Sequence, residues 1–89
     1  MSEVLTQARN LEIHDVPDGY IIYNPDQDRV HYLNKTAAII FEFCDGSREA
    51  DDIVLRVATA FELAASAHEE IREGLASLVQ EGLVSSTSK

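Results

Sequence analysis

Three histidines, one cysteine and a few paired carboxylates are the side chains in this 89-residue chain whose types suggest chemistry. Their spacing removes most of that promise. His14, His31 and His68 stand singly, with no H-x-x-x-H or H-E-x-x-H pairing to set two imidazoles on one helix face. Cys44 has no C-x-x-C partner, and one cysteine makes neither an intramolecular disulfide nor a multi-cysteine metal site. It falls on an apolar helical stripe, where a thiol is an inert core group. Asp26 and Asp28 form a D-x-D pair, but the Gly and distant Glu of a calcium loop are missing, so the pair reads as a solvated turn. Glu69, Glu70 and Glu73 read as the wet face of a helix. The four glycines stand apart and build no phosphate loop. No nucleophile–base set is visible, so no catalytic residue, no metal and no cofactor is expected.

The elements must therefore carry the function. Seven basic against sixteen acidic residues give a formal charge of −9, a field that repels polyanions. With 45% hydrophobic and 26% charged residues the composition is that of a globular domain. No apolar run approaches the roughly 18 residues of a membrane span, and residues 1–10 lack the apolar centre of a secretory signal. The expectation is a cytoplasmic protein with no membrane partner.

Residues 1–9 read as a flexible N-terminus, 10–84 as one domain and 85–89 as a flexible tail. Leu11 and Ile13 alternate with Glu12 and His14, as in a half-buried strand. Pro17, Asp18 and Gly19 signal a turn, and the aromatic and β-branched run Tyr20, Ile21, Ile22, Tyr23 signals a second strand. Which of these successive apolar residues turns inward stays open at this stage. After the polar turn 25–28, residues 29–33 read as a third strand. Short loops between three strands favour an antiparallel meander.

The period then changes to helical. Asn34 is an N-cap candidate, and Ala37, Ile40, Phe41 and Cys44 share one face of a helix ending near Gly46. Ser47 reads as the cap of a second helix with the stripe Ile53, Val54, Val57, Ala58 and Phe61. Ser66 with Glu69 forms a capping box that opens a third helix to about Glu81. Leu83 and Val84 add at most a short extended piece. The expected fold class is α+β, order βββααα: a three-stranded antiparallel meander followed by three helices, like a winged helix-turn-helix.

That topology invites DNA binding by a transcriptional regulator, the alternative reading. The third helix opposes it, since Arg72 is its only firm cation against four carboxylates. The remaining feature is the outer strand. Residues 29–33 end the meander with unpaired backbone groups, a template for an added peptide strand. The same residues read equally as a plain edge blunted by Arg29 and His31, or as the seam of a homodimer.

The stretch His31-Tyr32-Leu33-Asn34-Lys35-Thr36-Ala37-Ala38, followed by Phe43-Cys44-Asp45-Gly46-Ser47 and closed by Leu78-Val79-Gln80-Glu81-Gly82-Leu83-Val84, resembles the PqqD family. Lys35 departs from that pattern, which often has Pro there. The resemblance covers nearly the whole chain, and what it implies is specific. It implies a small winged-helix-like, non-catalytic chaperone that binds the leader region of a ribosomally made precursor peptide and presents it to a modifying enzyme, often a radical-SAM enzyme. It implies that the leader adds to the third strand, on Arg29, Val30, His31, Tyr32 and Leu33, and lies against the third helix. On that helix His68, Arg72, Leu75 and Val79 share one stripe. The resemblance assigns leader side chains to Leu75 and Val79 and an acidic leader residue to Arg72.

Overall fold

Two turns fix the meander. In the computed structural model, which describes residues 3–61 and 67–88, β2 (Glu12–Val16) pairs antiparallel with β3 (Gly19–Asn24), and β3 with β4 (Arg29–Asn34). The β2–β3 connection closes on Gly19, whose φ is +147°. A Cβ there would stand 1.9 Å from the carbonyl oxygen of Leu33, so no other residue fits the position. The β3–β4 connection is tied by Gln27 N–H donating to Asn24 O (3.2 Å), Asp28 N–H donating to Pro25 O (3.3 Å) and Asp26 N–H donating to the Asn24 side chain (3.1 Å). The structure also settles which apolar residue of β3 turns inward. Ile22 is wholly buried and Ile21 is 37% exposed. In β4 the same alternation buries His31 and Leu33 and exposes Val30 and Tyr32.

Helix α1 (Lys35–Phe43) starts where Asn34 accepts a hydrogen bond from Ala37 N–H at 2.9 Å, as the sequence suggests. Helix α2 (Ala50–Ala60) carries Asp51 and Asp52 in its first turn, favourable at the positive end of the helix. Helix α3 (His68–Gln80) buries Ile71, Leu75 and Leu78. Ser66, half of the expected capping box, lies outside the described residues. Phe41, Ile22, Ile53, Leu83 and Val57 are essentially inaccessible and join the inner face of the meander to all three helices. Each such side chain contributes about 2 kcal/mol by leaving water.

Three segments differ from expectation. Glu3–Gln7 is a strand (β1), not a flexible terminus, and Val4 and Leu5 are buried. Val84–Ser88 is also a strand (β6), where a polar tail was expected. Asp45–Glu49 is a third (β5), so Gly46 sits within a strand at φ +88° and Glu49, not Ser47, precedes α2. They form a second antiparallel sheet in the order β5-β1-β6, with β1 central. Gln7 N–H donates to Cys44 O and Ala8 N–H to Leu83 O, both at 2.9 Å, which ties this sheet to the ends of α1 and α3.

The chain is thus α+β, with the expected meander and three helices plus a second sheet. No helix of the described residues is long and apolar enough to cross a membrane.

Candidate functional site

The open edge of the meander is β4. The Leu33 carbonyl lies against Gly19, so it points toward β3. In an antiparallel pair the backbone groups of successive residues alternate in direction. Arg29, His31 and Leu33 therefore face β3, and Val30 and Tyr32 turn N–H and C=O to the open side. Among the described residues no other backbone segment bonds to that side. The side chains of Val30 and Tyr32, 65% and 59% exposed, stand on the outer sheet face, beside Ile21 and Tyr23 of β3. Tyr32 O–H donates to Asp18 O at 3.3 Å, and Tyr23 O–H to Asp28 Oδ1 at 2.9 Å. That second bond, with the nearby Asp28 charge, raises the Tyr23 pKa.

Helix α3 meets β4 near Asn34 through its N-terminal half and at His31 through its C-terminal end, so the two run in opposite directions. At its C-terminal end Glu81 Oε2 accepts from His31 Nδ1 at 2.8 Å. An ionised carboxylate only accepts, so the bond places the ring proton on Nδ1. His31 Nε2 is buried without a partner. Toward the N-terminal half of α3 a cleft of about 390 Å³ opens between Asn34, Thr36, Ala37 and Ile40 on one wall and Glu70, Ile71 and Gly74 on the other. Gly74 permits this close approach, since a Cβ there would meet Ile40 Cδ1 at 3.2 Å. The residues of α3 that border β4 and α1 are thus Glu70, Gly74 and Glu81, one stripe at helical spacing.

The stripe read from the sequence lies elsewhere. Arg72, Leu75 and Val79 line a different groove of about 410 Å³, against Leu5 of β1 and Ser86 of β6. Arg72 pairs with Asp51 of α2 at 2.6 Å, and Leu75 is 4% exposed and part of the core. His68 is half-buried at the start of α3 and is not among the residues walling the β4 cleft. The structure therefore brings Arg29, Val30, His31, Tyr32 and Leu33 to one edge but does not bring His68, Arg72, Leu75 and Val79 to it. The physical reason is the second sheet. Its strands β1 and β6 border the Leu75 flank of α3, and the Glu70–Gly74 flank faces α1. Gly74, inside a helix where glycine costs about 1 kcal/mol relative to Ala, was the available sign of close approach.

The remaining candidates are structural. Burial, then the nearby Asp45 charge, pushes the Cys44 thiol up to about 12, and Sγ donates to Ile40 O at 3.3 Å. Asp45 is held below the usual carboxylate range by its bonds from Ser47 Oγ (2.6 Å) and Ser47 N–H (3.0 Å) and by Arg48. Among the described residues no three His, Cys, Asp or Glu side chains gather as metal ligands.

Fold and site together define a small α+β domain with an unpaired strand edge beside a helix-walled cleft. Residues 19–84 match the family described as Coenzyme PQQ synthesis protein D (PqqD), and the chain belongs to that family. No curated protein matches it by sequence. Two solved structures share its fold. TbiB1, determined in complex with the TbiA(beta) leader peptide, superimposes with a TM-score of 0.75 at 10% identity, over 94% of this chain and 99% of that one. The PqqD truncation of Methylobacterium extorquens PqqCD, described as a functional and stand-alone recognition element for ribosomally synthesized and post-translationally modified peptides (RiPPs), gives 0.68 at 18% identity, over 91% and 87%.

Proposed function

We propose that this protein is a non-catalytic recognition element. It captures the leader of a ribosomally made precursor peptide as an added strand on β4 and presents it to a modifying enzyme. The observation that carries the reading is the open β4 edge lying beside the α3 cleft. Backbone bonds to Val30 and Tyr32 supply affinity, and the cleft takes alternate leader side chains. Family membership and the leader bound to TbiB1 support it. In this reading the meander and helices act as a winged helix-turn-helix that reads peptide rather than DNA, in the cytoplasm, and a radical-SAM enzyme is the modifying partner. The site comprises β4 and the Glu70, Gly74, Glu81 stripe of α3.

The test is a fluorescence-anisotropy titration of leader peptides encoded beside the gene, with a labelled DNA duplex as control. Saturable binding of one leader with no duplex binding is the expected result. Duplex binding that falls steeply with salt, and no leader binding, would hand the protein to the regulator reading.

A further inference from the structure

We infer that the leader segment seated on β4 is cationic on its cleft-facing side, with basic side chains placed against Glu70 and Glu81 and a small or aliphatic one between them over Gly74. This rests on the strand-addition reading and adds the chemistry of the partner to it.

Glu70 and Gly74 stand in the cleft wall, and Glu81 follows beyond it at the end of α3, where it meets His31. Among the described residues Glu70 takes part in no ion pair, and Glu81 pairs only with the His31 ring, through Oε2. Three arginines are engaged elsewhere: Arg48 pairs with Asp45 and Asp52, Arg56 with Asp52, and Arg72 with Asp51. Arg29 and Lys35, which bracket β4 in the chain, pair with neither glutamate among the described residues. The formal charge of −9 adds a long-range field of the same sign. His31 holds Glu81 in place, so the carboxylate is positioned before any peptide arrives.

The spacing follows from three helical turns. Glu70 and Glu81, the residue that caps the C-terminus of α3, are eleven residues apart, about 16 Å along the helix axis. An extended strand covers that in about five residues, and its side chains return to one face every second residue. Two basic residues four or six apart, with an apolar or small residue between them, match the wall. An acidic segment would meet like charge at both ends.

The inference is tested by selecting a random peptide library against the full chain and counter-selecting against a folded Tyr32→Pro variant, so that only edge-dependent peptides are scored. Enrichment of Lys or Arg at that spacing is expected. Affinity of the enriched peptides should fall about fivefold in Glu70→Gln/Glu81→Gln, and less in Glu70→Gln alone, a substitution that breaks no contact of the fold. Edge-dependent peptides without basic enrichment, or with affinity untouched by both variants, would overturn the cationic inference and leave strand addition standing. A selection that yields no edge-dependent peptide would overturn both.

Discussion

Replacing Tyr32 by proline removes one outward backbone donor from β4 and leaves the β3–β4 ladder intact, because Tyr32 N–H points away from β3. Proline is tolerated on such an edge position, and the weak Tyr32–Asp18 bond is the only side-chain hydrogen bond lost, so the fold should lose about 1 kcal/mol. The bound state loses more. An added strand reaches Val30 and Tyr32, two residues with one donor and one acceptor each, for about four backbone bonds of roughly 1 kcal/mol net apiece. Proline deletes the Tyr32 donor, and its ring holds the incoming strand off the adjacent acceptor. A loss of about 2 kcal/mol, or roughly thirtyfold in Kd, follows. Tyr32→Thr keeps the backbone and should bind within about threefold of the parent, since the exposed ring faces the outer sheet surface. Anisotropy titration of the same leader against parent and both variants reads this directly, with circular dichroism and melting to certify the fold. A folded Tyr32→Pro protein that binds with undiminished affinity would refute strand addition at this edge.

Other outcomes follow from the geometry. Arg72→Ala should leave leader affinity within about twofold, because the guanidinium serves an exposed pair with Asp51 away from the β4 cleft; a large loss, measured by the same titration, would restore Arg72 to the site. Gly19→Ala forces a Cβ into the Leu33 carbonyl at a positive φ and should lower stability by about 3 kcal/mol or prevent folding, as read by denaturant titration. Cys44 should resist alkylation in the native protein and react on unfolding. Its folded pKa of about 12 exceeds the usual value near 9, so the native state retains the proton longer than the unfolded chain. Its contribution is fully present below about pH 9 and is lost as pH rises toward 12, which Cys44→Ala should flatten in a stability–pH profile.

The meander and the helices were legible because local signals agree with the fold. Pro17, Asp18 and Gly19 specify the turn and Asn34 caps α1. The second sheet was not legible. Val84-Ser85-Ser86-Thr87-Ser88 has no apolar alternation, and the strand exists because β1, about eighty residues earlier, pairs with it. Asp45-Gly46-Ser47-Arg48-Glu49 looks like a turn and a cap, and it too is held by β1. The same gap hid what each face of α3 packs against. A stripe rule finds faces of α3 but not which neighbour each meets, and Leu75 was already engaged by the core. The apolar succession Ile21, Ile22, Tyr23 was resolved only by packing, which took Ile22.

The central place of β1 orders events during synthesis. β1 leaves the ribosome before both of its partners, β5 and β6, and β6 is the later of the two. The meander joins near neighbours and can close while the chain is still growing, whereas pairing across some eighty residues carries the larger loop-closure cost. Val4 and Leu5 thus wait for their partners on a strand first free on both sides and then, once β5 pairs, free on the β6 side. A chain stopped before residue 84 should hold a native-like meander with its β4 edge in place, and a sticky N-terminal strand that recruits a neighbouring chain in place of its own missing partner.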